Sequence, residues 1–253
     1  MPYLEIAVTQ RCTLNCKHCA NLIHLYEHPE DVPIGQLLED IDRLMSCVDK
    51  IHTLKILGGE PLIYSPLPRL MERLISDPKI GTITIVTNGT ILPKADVMPH
   101  LASDKVSVEI SPYGDILAKN ARQMRALFER EGIRHHDAKL DAWRNFGGFD
   151  ARGRTKAENE KHFAACFRCT TLIDGNVYCC PRAGSGAILG LVPKIPGEFV
   201  AIRRKDSADI TAGLRDFSIL KSISTCDYCD PDGPEIPMAE QTSRKTAEAG
   251  ASE

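Results

Sequence analysis

No stretch of this chain approaches the roughly twenty consecutive apolar residues that a bilayer-spanning helix needs. The N-terminus, Met1-Pro2-Tyr3-Leu4-Glu5-Ile6-Ala7-Val8-Thr9, has no basic segment ahead of an apolar one, so it reads as a strand and not as a secretory signal. Neither sign of charge is in excess. With 31 basic and 34 acidic side chains the formal net charge is -3, which gives no electrostatic case for nucleic acid or an anionic membrane as partner. No internal repeat is visible. A cytoplasmic protein is expected. What the sequence does have is cysteine: ten in 253 residues, too dilute for a secreted disulfide scaffold and more than packing requires. Nine of them cluster, at Cys12, Cys16 and Cys19, at Cys166, Cys169, Cys179 and Cys180, and at Cys226 and Cys229. Cys47 stands alone and reads as a small buried hydrophobe.

The first half alternates strand and helix patterns, as a parallel α/β sheet requires. Strands are expected at 3–9, 51–57, 82–87 and 105–111, with a fifth starting at Ile133. Helices are expected at 35–48, 67–76 and 116–131. From 140 to 160 the pattern breaks. Thr170–Ile173 and Val177–Cys180 about Asp174-Gly175-Asn176 then read as a β-hairpin. This divides the chain into a barrel over 1–155, a small cysteine-bearing region over 156–235 and a disordered tail over 236–253.

Cys12-Thr13-Leu14-Asn15-Cys16-Lys17-His18-Cys19 puts three thiols in eight residues directly after the first strand. Three thiolates from one compact loop suit an iron–sulfur cubane with one iron left open. A closed zinc site wants a fourth protein ligand, and His18 beside Cys19 is poorly placed to be it. Gly58-Gly59-Glu60-Pro61 ends the second strand and Thr87-Asn88-Gly89 the third. The C-terminal ends of parallel strands share one rim, where sites are built.

These motifs strongly resemble the radical SAM superfamily, whose C-x3-C-x2-C loop and GGE motif stand here unaltered. The resemblance implies a partial (β/α)6 barrel, a 4Fe–4S cluster on Cys12, Cys16 and Cys19, and S-adenosylmethionine chelated at the open iron. It implies that Gly58, Gly59 and Glu60, followed by Pro61, hold the methionine amino group. His18 falls near the adenine, Ser111 near the ribose, and Thr87 and Asn88 on the same rim.

Since the hairpin strands run antiparallel, Cys169 and Cys180 are expected close together, with Cys226 and Cys229 completing a second four-thiolate site. Cys166 and Cys179 are alternative ligands. Gly175 followed by Cys180 resembles the G-x4-C element of SPASM and twitch extensions, the shorter of which carries one auxiliary 4Fe–4S cluster. Tetrahedral zinc is the competing occupant.

The resemblance implies reductive cleavage of S-adenosylmethionine to a 5′-deoxyadenosyl radical and hydrogen abstraction from a substrate. The layout is similar to the aminocyclitol dehydrogenase of butirosin biosynthesis. It therefore points to a small polyol-like substrate (a sugar, nucleotide sugar or aminocyclitol) undergoing oxidation or epimerisation. A flavodoxin or ferredoxin is the expected reductant. A thiol outside the ligand set, Cys166 or Cys179, is the hydrogen donor if the outcome is epimerisation. Trp143, Arg144 and Arg182 are the candidate substrate contacts where barrel and appendage meet. Modification of a ribosomal peptide is the alternative, although strand one at residue 3 leaves no space here for a leader-binding domain. A non-catalytic iron–sulfur or zinc protein is a further alternative, which leaves Gly58-Gly59-Glu60 unexplained.

Overall fold

The computed structural model describes residues 1–203 and 205–243. Its first half follows the expected alternation: β1 (Tyr3–Ala7), α1 (Ile34–Ser46), β2 (Ile51–Leu57), α2 (Leu67–Ser76), β3 (Ile80–Thr87), α3 (Met98–Leu101), β4 (Val106–Ile110), α4 (Gly114–Leu117), α5 (Ala121–Arg130) and β5 (His135–Asp137). Then come β6 (Trp143–Arg144), α6 (Lys156–Ala165), β7 (Thr171–Ile173), β8 (Asn176–Tyr178), α7 (Pro181–Ile188), β9 (Phe199–Ala201), α8 (Ser207–Ser218) and β10 (Glu235–Ile236).

Eight strands form one sheet in the order β5-β4-β3-β2-β1-β7-β8-β9. Strands β1 to β5 pair in parallel, as the α/β expectation requires. The sixth parallel strand is not a further βα unit after β5. It is β7, the first strand of the hairpin, which pairs with β1 through Glu5↔Thr171 and Ile6↔Leu172. The cysteine-bearing region thus extends the barrel sheet from its β1 edge. Leu4, Ile6, Leu54, Ile56, Ile83, Ile85, Val108 and Ile110 alternate onto one face of the strands. There they are buried in one cluster with Ile41 and Leu44 from α1, Leu70 and Leu74 from α2, and Met124 and Phe128 from α5. Between those positions lie polar residues such as Lys55 and Glu109, whose side chains pair at 2.8 Å.

The helix expected at 116–131 is two helices, because Ala118 leaves the helical region at φ −85°, ψ 54°. The break serves the rim. Asn120 N donates to Gly89 O (3.0 Å) and Asn120 Nδ2 to Thr90 O (2.7 Å). A Cβ on Gly89 would meet the Ala121 Cβ at 2.9 Å, so glycine lets the loop after β3 seat on the helix break. Helices α6 and α8 were not expected, since each buries a single side chain, Phe163 and Ile210, and so shows no apolar stripe. Their signal is in the caps. Thr155 and Glu158 form a reciprocal capping box, and Asp206 accepts from Asp209 N.

In the hairpin, Asp174 (φ 46°) and Gly175 (φ 66°) make the two-residue turn, which leaves Asn176 to β8. The disordered tail expected from 236 is corrected over 236–243. Ile236 pairs with Trp143 in β10·β6, Ala239 is fully buried, and Gln241 pairs antiparallel with Cys16. These backbone partners offset the ordering cost that a Ser/Lys/Glu-rich composition alone does not. Residues 244–253 lie outside the described residues. Among those described, no helix is long and apolar enough to cross a membrane.

Candidate functional site

The loop after β2 is laced to the cysteine loop by backbone. Gly59 N donates to Thr9 O (2.7 Å) and Glu60 N to Arg11 O (2.9 Å). A Cβ on Gly59 would overlap Arg11 O, and one on Gly58, whose φ is +136°, would meet Thr9 O at 2.5 Å. The two glycines therefore let two main chains touch directly behind Cys12.

Glu60 is fully buried. Its Oε1 accepts from Leu62 N (3.1 Å) and Thr87 Oγ1 (2.9 Å), and its Oε2 from Asn88 N (2.8 Å). Burial pushes the carboxyl up to about 7, against these donors, which favour the charged form. Pro61 starts the short 3₁₀ turn Pro61–Ile63 that Glu60 caps. Both residues sit behind the cleft wall, whereas Gly58 and Gly59 line it. The side chain of Glu60 thus joins the second and third strand ends and does not face the cleft.

Asn88 continues this lacing. Its Nδ2 donates to Thr13 Oγ1 (3.0 Å) and lies 3.5 Å from Cys12 Sγ, while its Oδ1 accepts from Thr90 N (3.0 Å). On the other side the C-terminal segment closes over the cysteine loop. Lys17 N donates to Glu240 O, Thr242 N to Asn15 O, and Gln241 Nε2 to Cys16 Sγ at 3.3 Å. Thr13, Thr90 and Gln241 were not singled out from the sequence. Thr and Gln carry no spacing signature, and Gln241 reaches the site only through a pairing 225 residues distant.

Cys12, Cys16 and Cys19 open together on a cleft of about 1250 Å³, also lined by His18, Gly58, Gly59, Thr87, Asn88, Ser111, Trp143 and Arg144. The expected rim residues other than Glu60 and Pro61 therefore share one space. Tyr113, packed edge-on against Trp143 with ring centroids 5.7 Å apart, and Asn21, whose Oδ1 is buried without a partner, join them unforeseen. Arg144 is held at the rim by Gly233 O (3.2 Å) and Glu235 (3.5 Å).

The later cysteines surround a second, smaller cavity. Cys166, Cys179, Cys180, Cys226 and Cys229 line it. Cys169 does not. Its thiol is turned to the barrel side, where burial and the neighbouring Glu5 carboxylate push it up to about 12. Cys169 lies instead in a neighbouring cleft, which Cys180 also lines, while the small cavity takes Cys166. That residue caps the end of α6 at the cavity, whereas Cys169 precedes a strand paired to β1. Cys180 is the N-cap of α7, its Sγ accepting from Ala183 N at 3.4 Å; burial pushes this thiol up, against that hydrogen bond. Gly184 sits close against the hairpin: a Cβ there would meet Ile173 Cδ1 at 2.8 Å.

Arginines fix the Cys226–Cys229 loop. Arg154 Nη1 donates to Cys226 O (3.0 Å) and Cys229 O (2.9 Å), and Asp230 accepts from both Arg154 and Arg152. Arg182, expected at the substrate, donates one nitrogen to Gly147 O, Gly148 O and Tyr228 O, and its guanidinium lies 4.0 Å from the Phe149 ring centroid. It ties the cysteine loop to the glycine loop, while its Nε, buried without a hydrogen-bond partner, stays free beside the cysteine cavity.

A third cleft of about 1470 Å³ joins the two thiol sets. It shares His18, Cys19, Ala20 and Phe146 with the first, and Cys166, Cys180, Arg182 and Cys229 with the second. Phe146, Phe149, Phe167, Leu22, Leu25 and Leu191 give it apolar walls.

Residues 6–115 match the family described as the radical SAM superfamily. Among curated proteins, the GTP 3',8-cyclase of Pelotomaculum thermopropionicum is 31% identical over 113 residues, 43% of this chain and 34% of that one. The GTP 3',8-cyclase of Bradyrhizobium diazoefficiens is 35% identical over 99 residues, 36% of this chain and 27% of that one. The chain thus spans about a third or less of these relatives. Among solved structures, BtrN in complex with AdoMet and 2-DOIA superposes with a TM-score of 0.58 at 15% identity, covering 96% of this chain and 97% of that one. The structure of anSMEcpe with bound AdoMet gives 0.58 at 11% identity, over 87% and 83%. At these identities the likeness is one of fold, and the fold is the α/β radical SAM fold.

Proposed function

We propose that this chain, whose residues 6–115 are a radical SAM domain, is an oxidoreductase that uses S-adenosylmethionine to remove hydrogen from a carbinol carbon of a small polyol-like molecule. One observation carries the reading: two separate sets of thiols open on one continuous cleft. Cys12, Cys16 and Cys19 fit a cubane, since they face the same space and amide donors approach the Cys12 and Cys16 sulfurs. Bound there, a 4Fe–4S cluster would supply the electron that cleaves S-adenosylmethionine to methionine and a 5′-deoxyadenosyl radical.

The chain's own residues supply position and exclusion of water. Gly58 and Gly59 present main chain to the methionine end, with Ser111 and His18 on the same wall for the nucleoside. Asn21, with its buried acceptor unpartnered, offers a hydrogen bond to a ligand hydroxyl or amine. Trp143 and Tyr113 pack edge-on in the lining of the first cleft. Cys166, Cys180, Cys226 and Cys229 are the ligand set proposed for an auxiliary 4Fe–4S cluster, with Cys179 left over in an apolar cluster with Phe163 and Ile223. Four thiols lining one cavity suit a four-thiolate cluster site. A substrate in the third cleft lies between the two sets. An auxiliary cluster held by Cys166, Cys180, Cys226 and Cys229 would supply an acceptor there for the second electron that oxidation of a carbinol to a carbonyl releases. The match to BtrN over nearly the whole of both chains supports the polyol reading, since that protein was crystallised with 2-DOIA.

The test uses candidate sugars and aminocyclitols deuterated at single carbinol carbons, with 5′-deoxyadenosine analysed by mass spectrometry. Deuterium should enter from one position only. Labelling from a peptide and from none of the polyols would replace this reading with peptide modification.

A further inference from the structure

Two side-chain amides reach the sulfurs of the first cysteine loop, one from the loop after β3 and one from the C-terminal segment. Asn88 Nδ2 lies 3.5 Å from Cys12 Sγ, and Gln241 Nε2 lies 3.3 Å from Cys16 Sγ. The second contact is the better fixed. Gln241 Oε1 accepts from Asn15 N at 2.8 Å, so the oxygen end of the amide is committed and the nitrogen end must face the sulfur. The same nitrogen also donates to Ala239 O at 2.7 Å. The segment that carries Gln241 is anchored on both sides. Lys17 N donates to Glu240 O (2.8 Å), Thr242 N to Asn15 O (2.9 Å), and Asn15 Nδ2 to Thr242 O (2.7 Å). Ala239 at its start is fully buried. The Lys17–Glu240 ion pair is exposed and adds little.

We infer that the 239–242 strap is a built part of the first cluster site, and that Gln241 is a positioning residue which raises the cluster's reduction potential through its hydrogen bond to Cys16. This rests on the reading that Cys12, Cys16 and Cys19 hold a cluster. Reduction adds one negative charge, shared over iron, sulfide and thiolate. An N–H donor fixed on a ligand sulfur interacts more strongly with the more negative state, so it favours the reduced form. The strap also covers the Cys16 side of the site, and less water at the sulfurs leaves the fixed donor with more influence.

The isosteric variant Gln241→Glu keeps the acceptor for Asn15 N and loses the donor to sulfur. Gln241→Met keeps the length and loses both polar ends without adding charge. Full-length wild type and both variants are reconstituted anaerobically and titrated with redox mediators, following the electron paramagnetic resonance signal that S-adenosylmethionine perturbs. At a fixed applied potential the reduced-to-oxidised ratio should fall about tenfold in Gln241→Glu, a midpoint about 59 mV lower for a one-electron couple. Gln241→Met should fall in the same direction by less. An unchanged midpoint in either variant with full iron content overturns the inference. So does loss of this cluster from both variants with the fold intact by circular dichroism, which would make Gln241 a retention residue instead. A wild type that binds no cluster on the three cysteines is a different failure, and sinks the underlying reading.

Discussion

Glu60 accepts the main-chain N–H of Asn88 at 2.8 Å, and that bond makes the loops after β2 and β3 one unit. Through it, the position of Asn88 beside Cys12 depends on a carboxylate that never reaches the cleft. Glu60→Gln keeps the size but turns an N–H₂ group towards either Asn88 N or the pair Leu62 N and Thr87 Oγ1. One donor then faces another in a buried place, at a cost of about 1–3 kcal/mol. Affinity for S-adenosylmethionine, measured by calorimetry on reconstituted protein, should fall, with iron content retained. Unchanged affinity would mean that the strand ends are held independently.

The same carboxyl makes the metal-free chain sensitive to pH. Burial raises its folded value to about 7, from the ordinary 4.5. Between those values the folded chain holds a proton that the unfolded chain has released. Its contribution is therefore complete below pH 4.5 and is lost as pH rises through about 7, a difference of about 3 kcal/mol at most. Urea midpoints of metal-free protein at pH 5 and pH 7.5 should separate more for wild type than for Glu60→Gln. Equal separations would remove Glu60 as the source.

Gly59→Ala tests the backbone lacing. The added Cβ overlaps Arg11 O, which is main chain and cannot rotate away. The loop must move instead, costing about 1–3 kcal/mol and opening the wall beside Cys12. Thermal unfolding should shift down and cofactor affinity should drop together. A variant that loses neither would show that the loop has slack.

Much of the fold was legible because it is written in apolar periodicity. Ile51–Leu57 and Leu67–Ser76 were placed to the residue, since their alternating or helical stripes face one buried cluster. The cysteine loop and Gly58-Gly59 were legible as motifs, although the glycines proved to serve contact between two main chains as well as an approach to ligand. What periodicity could not reveal is whatever depends on a few long-range polar contacts. Helices α6 and α8 bury one side chain each, Gln241 is a single polar residue in a tail-like composition, and Arg182 meets three carbonyls supplied by two distant loops. The cysteines of the second set are also placed by a long-range pairing. Position on the hairpin puts Cys169 level with Cys180 along the strands, but β7 is drawn to β1, and Cys169 goes with it to the Glu5 side.

That displacement yields the sharpest test of the second site. Cys166 lies on the small cavity with Cys180, Cys226 and Cys229, whereas Cys169 lies beside Glu5 and lines only the third cleft. Two 4Fe–4S clusters would bring about eight iron atoms per chain. Cys169→Ser should keep all of them, because no ligand is lost and Ser retains a hydrogen bond to Glu5. Cys166→Ser should lose about half the iron while still binding S-adenosylmethionine, since Cys12, Cys16 and Cys19 lie on the other cleft. Cleavage of S-adenosylmethionine can then continue while the oxidised product fails to form, because the second electron has no acceptor beside the substrate. Iron quantification and product analysis on the same preparations separate the cases. Loss of iron from Cys169→Ser with retention in Cys166→Ser would show that the hairpin rearranges around its cluster and that Cys169 is the ligand. Zinc in place of iron in anaerobically purified protein would make the second site structural, and the electron would then need another acceptor.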